Sequence, residues 1–320
     1  MNESDINTKD LNSIKPFSSK FELSPEMSHK GQNGKVLIIG GSELFHSSAI
    51  WSAEIASHLV DMVHFSSTKD NNEIFKSLKI KFRSGIIVPK PEIPNYVKED
   101  DSVLLGPGMV RKTIGNHKLP ITNFKSIIKI KDEANYSREL SRYLIDKFPN
   151  KRFVIDAGAL QMIDKEWLNE LSMPAIITPH QLEFERLFGV SVANLPIDMQ
   201  QQIVKQTAHD YNCVILLKVV NDIISDGRVT YTIMGGNQGL TKGGTGDILS
   251  GLVVSLYAKH DPVVSAVLSS FILKRAADKL EILSGHWYNV ADLINIIPNV
   301  LINVDEYNIE AKKHQEASRR

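Results

Sequence analysis

Cysteine is nearly absent from this chain. Its 320 residues include one, Cys213, which excludes an internal disulfide and fits a reducing, cytoplasmic setting. No apolar run approaches the ~20 residues that span a bilayer, and the polar N-terminus lacks the hydrophobic stretch of a signal peptide. Neither sign of charge is in excess: Lys+Arg number 37 and Asp+Glu 37. That balance argues against a general nucleic-acid or membrane-surface binder. The chain has no internal repeat and no G-x-G-x-x-G fingerprint of a dinucleotide fold. It also has no Pro/Gly/Ser linker long enough to divide a core. The histidines do not cluster as a zinc site requires.

With 42% hydrophobic residues, the length suits one large α/β domain or two smaller ones. Short apolar runs recur, many ending at glycine or a polar residue: Val36–Ile39 before Gly40-Gly41, Val103–Leu105 before Gly106, Phe153–Ile155 before Asp156, Ala175–Ile177 before Thr178, and Val214–Leu217 before Lys218. Continuous β-branched runs of this kind suit parallel strands buried on both faces. Helical patterns separate them, as over Ala49–Leu59, Arg138–Lys147 and Gln200–Tyr211. The alternation predicts a doubly wound, mainly parallel α/β sheet whose ligands gather beyond the carboxyl ends of the strands. Residues 1–24 read as a loosely ordered polar arm, 25–302 as the domain and 303–320 as a polar tail. Ile223–Ile233 reads as a hairpin turning at Ser225–Arg228, either a flap over a nucleotide or an ordinary hairpin.

The most informative stretch is Thr241-Lys242-Gly243-Gly244-Thr245-Gly246-Asp247. Apolar residues at 248, 249, 252, 253 and 256 follow it with helical spacing, so the glycines open a helix. Its unpartnered N–H groups and positive dipole end favour an anion, typically phosphate. Asp247 falls in the first turn. A carboxylate there opposes permanent phosphate binding, yet suits a base acting on a hydroxyl about to attack phosphorus. The plainer reading is a solvated helix-start carboxylate.

Other candidates sit at strand ends. Gly106-Pro107-Gly108 is a rigid turn that exposes N–H groups or simply closes a loop. In Thr178-Pro179-His180-Gln181-Leu182-Glu183, a helix beginning at Pro179 places His180 and Glu183 on one face. His180 then hydrogen-bonds a polar substrate, and Glu183 either orients magnesium-bound water or serves as a helix-start carboxylate. Lys218 either snorkels to solvent or meets a nucleotide phosphate. Asp156 is a weaker candidate base, or a cap for the segment after it.

In order and spacing, this set resembles the NAD(P)H-hydrate dehydratase family, a branch of the ribokinase-like fold. The matching pieces are His29-Lys30-Gly31, Ile39–Ser42, Gly106-Pro107-Gly108, Asp156 before Ala157-x-Ala159-Leu160, Thr178-Pro179-His180 with Glu183, Lys218, Gly236-Asn237-x-Gly239-Leu240 and Gly243–Asp247. The resemblance spans roughly residues 27 to 300. It implies a three-layer sandwich with a mainly parallel central sheet. It also implies repair of NADH or NADPH hydrate: the C6 hydroxyl is phosphorylated from ADP or ATP with Mg²⁺, and phosphate then leaves. By resemblance, Asp247 is the base and Gly244, Thr245 and Gly246 are the anion hole. Ser48, Gly108, His180 and Asp247 line the hydrate site. Lys218, Val219, Val220, Asn221, Asp222 and Gly246 hold the adenine nucleotide. A homo-oligomer, specifically a tetramer, and an epimerase on a separate chain are also implied.

The chain departs from the family pattern in four places. Ser47-Ser48 replaces a Gly-Ala pair, and Leu59-Val60-Asp61-Met62 replaces a Ser-Gly-Ala-Gly turn. Val219 stands where glycine is usual, which predicts a strained backbone there. Gly158 replaces a second aspartate. The alternatives are an ATP-dependent kinase of the same fold acting on a hydroxymethylpyrimidine or hydroxyethylthiazole, and a nucleotide-binding regulator without turnover. The intact Gly-Thr-Gly-Asp loop speaks against the latter.

Overall fold

The computed structural model describes residues 5–21, 24–25, 27–80, 82, 84–112 and 123–302. Ten strands form one sheet: β1 (Asp5–Asn7), β2 (Lys35–Ile39), β3 (Met62–Ser66), β4 (Ile86–Ile87), β5 (Ser102–Leu105), β6 (Arg152–Ile155), β7 (Ile176–Ile177), β8 (Val214–Leu217), β9 (Asp222–Ser225) and β10 (Thr230–Met234). Their spatial order is β1-β10-β9-β8-β7-β6-β5-β2-β3-β4. Only the β8–β9 and β9–β10 pairs are antiparallel. The central strands alternate sides: Val36 and Ile38 face one apolar cluster, Leu37 and Ile39 the other. Burial on both faces is what the uninterrupted β-branched runs specified.

The helices of the described residues include α1 (Lys15–Ser18), α2 (Ser47–Ala56), α3 (Lys69–Ser77), α4 (Ile93–Glu99), α5 (Phe124–Ile127) and α6 (Glu133–Lys147). They continue with α7 (Ala157–Leu160), α8 (Gln181–Phe188), α9 (Ile197–Asp210), α10 (Thr245–Tyr257) and α11 (Pro262–Ser284). Side chains of α2, α10 and α11 build the first apolar cluster, and those of α4, α6, α8 and α9 the second. The three layers expected from the sequence are therefore present, with helices on both faces of a mainly parallel sheet.

One expectation needs correction, and one open alternative is resolved. Residues 5–21 are not a loose arm. β1 pairs with β10 in parallel, and Ile6, Ile14 and Phe17 are buried in the first cluster. The cause is tertiary, because Thr8 donates to the Asp278 carboxylate and Arg275 donates to the Thr8 carbonyl. The 223–233 hairpin forms, but it is no flap. Both strands are hydrogen-bonded into the sheet between β8 and β1. The tail at 303–320 lies outside the described residues.

Helices α2 and α10 pack closely because α10 has Gly251 at their contact. A Cβ there would lie 2.5 Å from Ile55 Cγ2 and 2.7 Å from the Ser52 carbonyl oxygen. Gly251→Ala is thus expected to lower the unfolding free energy by about 1–3 kcal/mol despite alanine's better helix propensity. Urea denaturation checks this, and an unchanged midpoint would show that the helices can part freely.

Strand order reverses between β2 and β5. From there β3 and β4 run one way, and β6, β7 and β8 the other. Such a switch point opens a crevice beyond the carboxyl ends of its two strands. Gly40-Gly41 and Gly106-Pro107-Gly108 are the loops at that point.

Candidate active site

Four strand ends and one helix start converge here. After β6, Asp156 is buried, and its carboxylate oxygen lies 3.0 Å from Lys218 Nζ. It makes no side-chain cap to α7, so pairing with Lys218 replaces the capping role considered from sequence. Lys218 continues β8 and bridges to His180 in parallel register. Its Nζ is also 4.0 Å from Glu183 Oε2. Burial disfavours the ammonium, but the charges of Asp156, Glu183 and Asp247 outweigh it and shift the Lys218 pKa upward.

The helix after Thr178-Pro179 starts at Gln181, and His180 is its cap. His180 Nδ1 accepts from the N–H groups of Leu182 and Glu183 at 3.1 and 3.3 Å. The ring proton therefore belongs on Nε2. Burial is the main cause of a lowered His180 pKa, which favours the neutral imidazole. Glu183 completes the capping box by accepting the His180 N–H at 2.9 Å, and its other oxygen accepts from Gln161 at 2.9 Å. The helix-start reading of Glu183 thus accounts for both of its oxygens.

At the start of α10, Gly244 is left-handed with φ 98°, and no side chain caps the helix. The Thr245 hydroxyl turns back to the Leu240 carbonyl at 2.7 Å instead of capping the helix, while the Thr245 N–H donates to the Lys242 carbonyl at 3.4 Å. A Cβ on Gly246 would lie 3.6 Å from Lys218 Nζ, so the lysine ammonium and the loop face the same space. Asp247 is held from α2: the Ser48 hydroxyl hydrogen-bonds its carboxylate, and Ser52 donates to its carbonyl at 2.8 Å. Burial, followed by the charge of Asp156, raises the Asp247 pKa from 3.8 to about 7, against the Ser48 hydrogen bond and the Lys218 charge. Gly108 completes the group, since its Cβ would lie 3.1 Å from Ser48 Cβ.

A cavity of about 780 Å³ opens beside this cluster. His180, Lys218, Val219, Val220, Asp222, Thr245 and Gly246 line it, whereas Asn221 does not. Asp222 is a buried part of that lining: its carboxylate accepts from the Val219 N–H and the Ser270 hydroxyl, and lies 3.5 Å from Lys274 Nζ. Sequence reading missed Lys274 and Lys9, both in the lining. Lys274 directly follows the apolar run Phe271-Ile272-Leu273 in α11, a local signal that could have been used. Lys9 had none, because its position depends on β1 docking against β10.

The departures also acquire causes. Val219 is not among the residues with positive φ, so the strain expected there is absent. Gly158 packs where a Cβ would come 2.0 Å from the Met109 carbonyl oxygen, which leaves no room for an aspartate in this backbone. Asp61 accepts the N–H groups of Gly31 and Asn33 at 2.7 and 3.1 Å, tying down the His29-Lys30-Gly31 loop. Among the described residues, no helix is long and apolar enough to cross a membrane.

The three-layer α/β sheet, with a buried carboxylate beside an uncapped helix start and a paired lysine, has the ribokinase-like fold. Residues 36–299 match the NAD(P)H-hydrate dehydratase family. The chain belongs to that family, whose members are carbon–oxygen lyases. It is 31% identical over 279 residues to the ADP-dependent (S)-NAD(P)H-hydrate dehydratase of Cenarchaeum symbiosum, covering 86% of this chain and 90% of that protein. It is 33% identical over 282 residues to the bifunctional NAD(P)H-hydrate repair enzyme Nnr of Methanocaldococcus jannaschii. That match covers 86% of this chain but only 49% of the relative's length. The fold also matches the ADP/ATP-dependent NAD(P)H-hydrate dehydratase of Bacillus subtilis co-crystallized with ATP/Mg²⁺. The TM-score is 0.71 at 20% identity, over 95% of this chain and 99% of that one.

Proposed function

We propose that this chain restores NADH or NADPH from the hydrated dinucleotide at the expense of ADP. The observation that carries this reading is Asp247 at the open start of α10, facing the same space as Lys218. Asp247 takes the proton from the C6 hydroxyl, whose oxygen attacks the terminal phosphorus of ADP, and AMP leaves. The carbon–oxygen bond then breaks, phosphate departs, a proton leaves C5 and the C5–C6 double bond is restored. A carboxyl with a pKa near 7 is poised for the first proton transfer. N–H groups of Gly244, Thr245 and Gly246 stabilise charge on the transferring phosphoryl group. Ser48, Gly108 and neutral His180 place the hydrated ring.

The adenine nucleotide occupies the larger cavity, with Lys218 and Gly246 at its phosphates. Val220, 88% exposed at the cavity wall, supplies apolar surface for the base. ADP as donor is supported by the names of the archaeal relatives. Among the described residues, no three His, Cys, Asp or Glu side chains group to hold a metal ion. Mg²⁺ in phosphoryl-transfer sites needs only one or two protein carboxylates beside the phosphates. Asp156 beside Lys218 fits that limited role, whereas both oxygens of Glu183 are already engaged by the His180 N–H and Gln161; the ion would neutralise phosphate charge.

Incubation with NADH hydrate and ADP tests the function by recovery of dihydronicotinamide absorbance. No recovery from NADH hydrate, together with phosphorylation of an unrelated alcohol by ATP, would favour a small-molecule kinase instead.

The N-terminal strand belongs to this site. Asp278 accepts both from Thr8 and from the N–H of Gly236, which lines the cavity. Thr8→Val is therefore expected to lower stability by about 1–3 kcal/mol and raise the ADP dissociation constant several-fold. Denaturation and calorimetry read the two effects separately. Unchanged ADP affinity would detach the strand from the nucleotide wall.

A further inference from the structure

A second cavity, of about 200 Å³, lies at the switch point between β2 and β5. It is smaller than the ~300–1,000 Å³ that encloses a whole ligand, so it suits a fragment of one. Gly40 and Gly41 form its inner wall, with Ser66, Lys69, Lys90 and Lys131 around it. The Ser66 hydroxyl is fully buried and has no hydrogen-bond partner. An unmade hydrogen bond of this kind costs stability unless a ligand completes it. Lys90 is half-buried, its ammonium 4.2 Å from the centroid of the Tyr136 ring. Burial lowers its pKa despite the charge of Glu133, so a further anion would be favourable there. Glu43 and Glu133 also line the cavity. The Glu133 carboxylate is partly engaged, accepting the Glu43 N–H at 2.9 Å.

The cavity adjoins the reaction centre. The position a Cβ would take on Gly108 is 3.1 Å from Ser48 Cβ and 3.2 Å from Gly41 Cα. Ser48 holds Asp247, and Gly41 walls the second cavity. One turn thus separates the base from an anion-favouring pocket, while the nucleotide cavity lies on the other side at Lys218. In a hydrated dinucleotide, the group one ribose away from the reacting ring is the diphosphate. We propose that this second cavity is the subsite for the diphosphate arm of the hydrated dinucleotide, held by Ser66, Lys90 and Lys69. This inference rests on the dehydratase function proposed for the neighbouring site. The two adenine-bearing molecules would then enter from opposite sides of Asp247.

Calorimetry with ADP-ribose, which carries the diphosphate but no nicotinamide, tests the subsite when ADP already saturates the larger cavity. Wild type should bind it, Lys90→Gln roughly tenfold more weakly and Ser66→Ala about fivefold more weakly, with ADP affinity unchanged. Equal binding by all three proteins, or none by wild type, would overturn the proposal. So would binding of pyrophosphate alone without ADP-ribose, which would mark a site for free anions. In kinetics, Lys90→Gln should raise KM about tenfold for NADH hydrate at constant kcat, and leave KM unchanged for dihydronicotinamide riboside hydrate, which has no phosphate. A rise shared by both substrates would indicate a structural effect and overturn the subsite. If neither hydrate is turned over, the dehydratase function fails, and the calorimetry still decides whether the cavity takes a diphosphate.

Discussion

Asp247→Asn is expected to cut turnover by about 10²–10⁴-fold while leaving ADP affinity intact or slightly tighter. The amide cannot accept the hydroxyl proton, and loss of a positioned base typically costs that much. Removing a negative charge beside bound phosphate removes repulsion. In the wild type, kcat/KM should rise with pH through about 7, where the Asp247 carboxyl ionises. The same variant should be more stable than wild type above pH 7. The sign follows from the pKa: a carboxyl raised from 3.8 to about 7 resists ionisation in the fold. Its ionised form therefore destabilises the native state fully above the folded value and not at all below the unfolded one. Allowing for the solvent that reaches it, the gain is on the order of 2 kcal/mol. It should vanish below about pH 4. Thermal melts at pH 4 and pH 8, with rate measurements, check both halves. A variant turning over at near wild-type rate would move the base elsewhere, with Asp156 the next candidate.

Lys218→Ala should act on both stability and binding. Asp156 is buried, with Lys218 Nζ at 3.0 Å, and removing one member of such a pair leaves an uncompensated buried charge. The expected cost is about 3 kcal/mol of unfolding free energy. Nucleotide affinity should fall by roughly 1–3 kcal/mol if the ammonium also meets phosphate. The double variant Lys218→Ala, Asp156→Asn separates the two effects. Neutralising the stranded carboxylate should recover much of the stability and none of the ADP affinity. Calorimetry showing unchanged ADP affinity in the single variant would take Lys218 out of the nucleotide site.

The central strands were readable because their burial on both faces writes a continuous apolar run, a local signal. The glycine loop was readable for the same reason: Gly243 to Gly246 stand directly before the helical apolar pattern that begins at Ile248. Asp5-Ile6-Asn7 offered no such signal. It has one apolar residue in three, and its strand exists because β10 presents an edge and Asp278 a partner. Pairing explains the rest of what was missed. Whether Asp156 caps or pairs depends on Lys218, 62 positions away. Whether Glu183 is free for a metal depends on Gln161 and on the backbone of His180. Val219 departs from the glycine usual in the family pattern, yet its own backbone is not in the positive-φ region that would require glycine.

The tie between Thr8 and Asp278 spans 270 positions. During synthesis the first of these residues leaves the ribosome long before the second exists. β1 therefore waits without its partner while the sheet interior and its helices are made, and it can seat only after β10 and α11 are in place. Closing so long a loop is entropically slow. The cavity wall around Gly235 and Gly236 is thus completed only after β10 and α11 have formed.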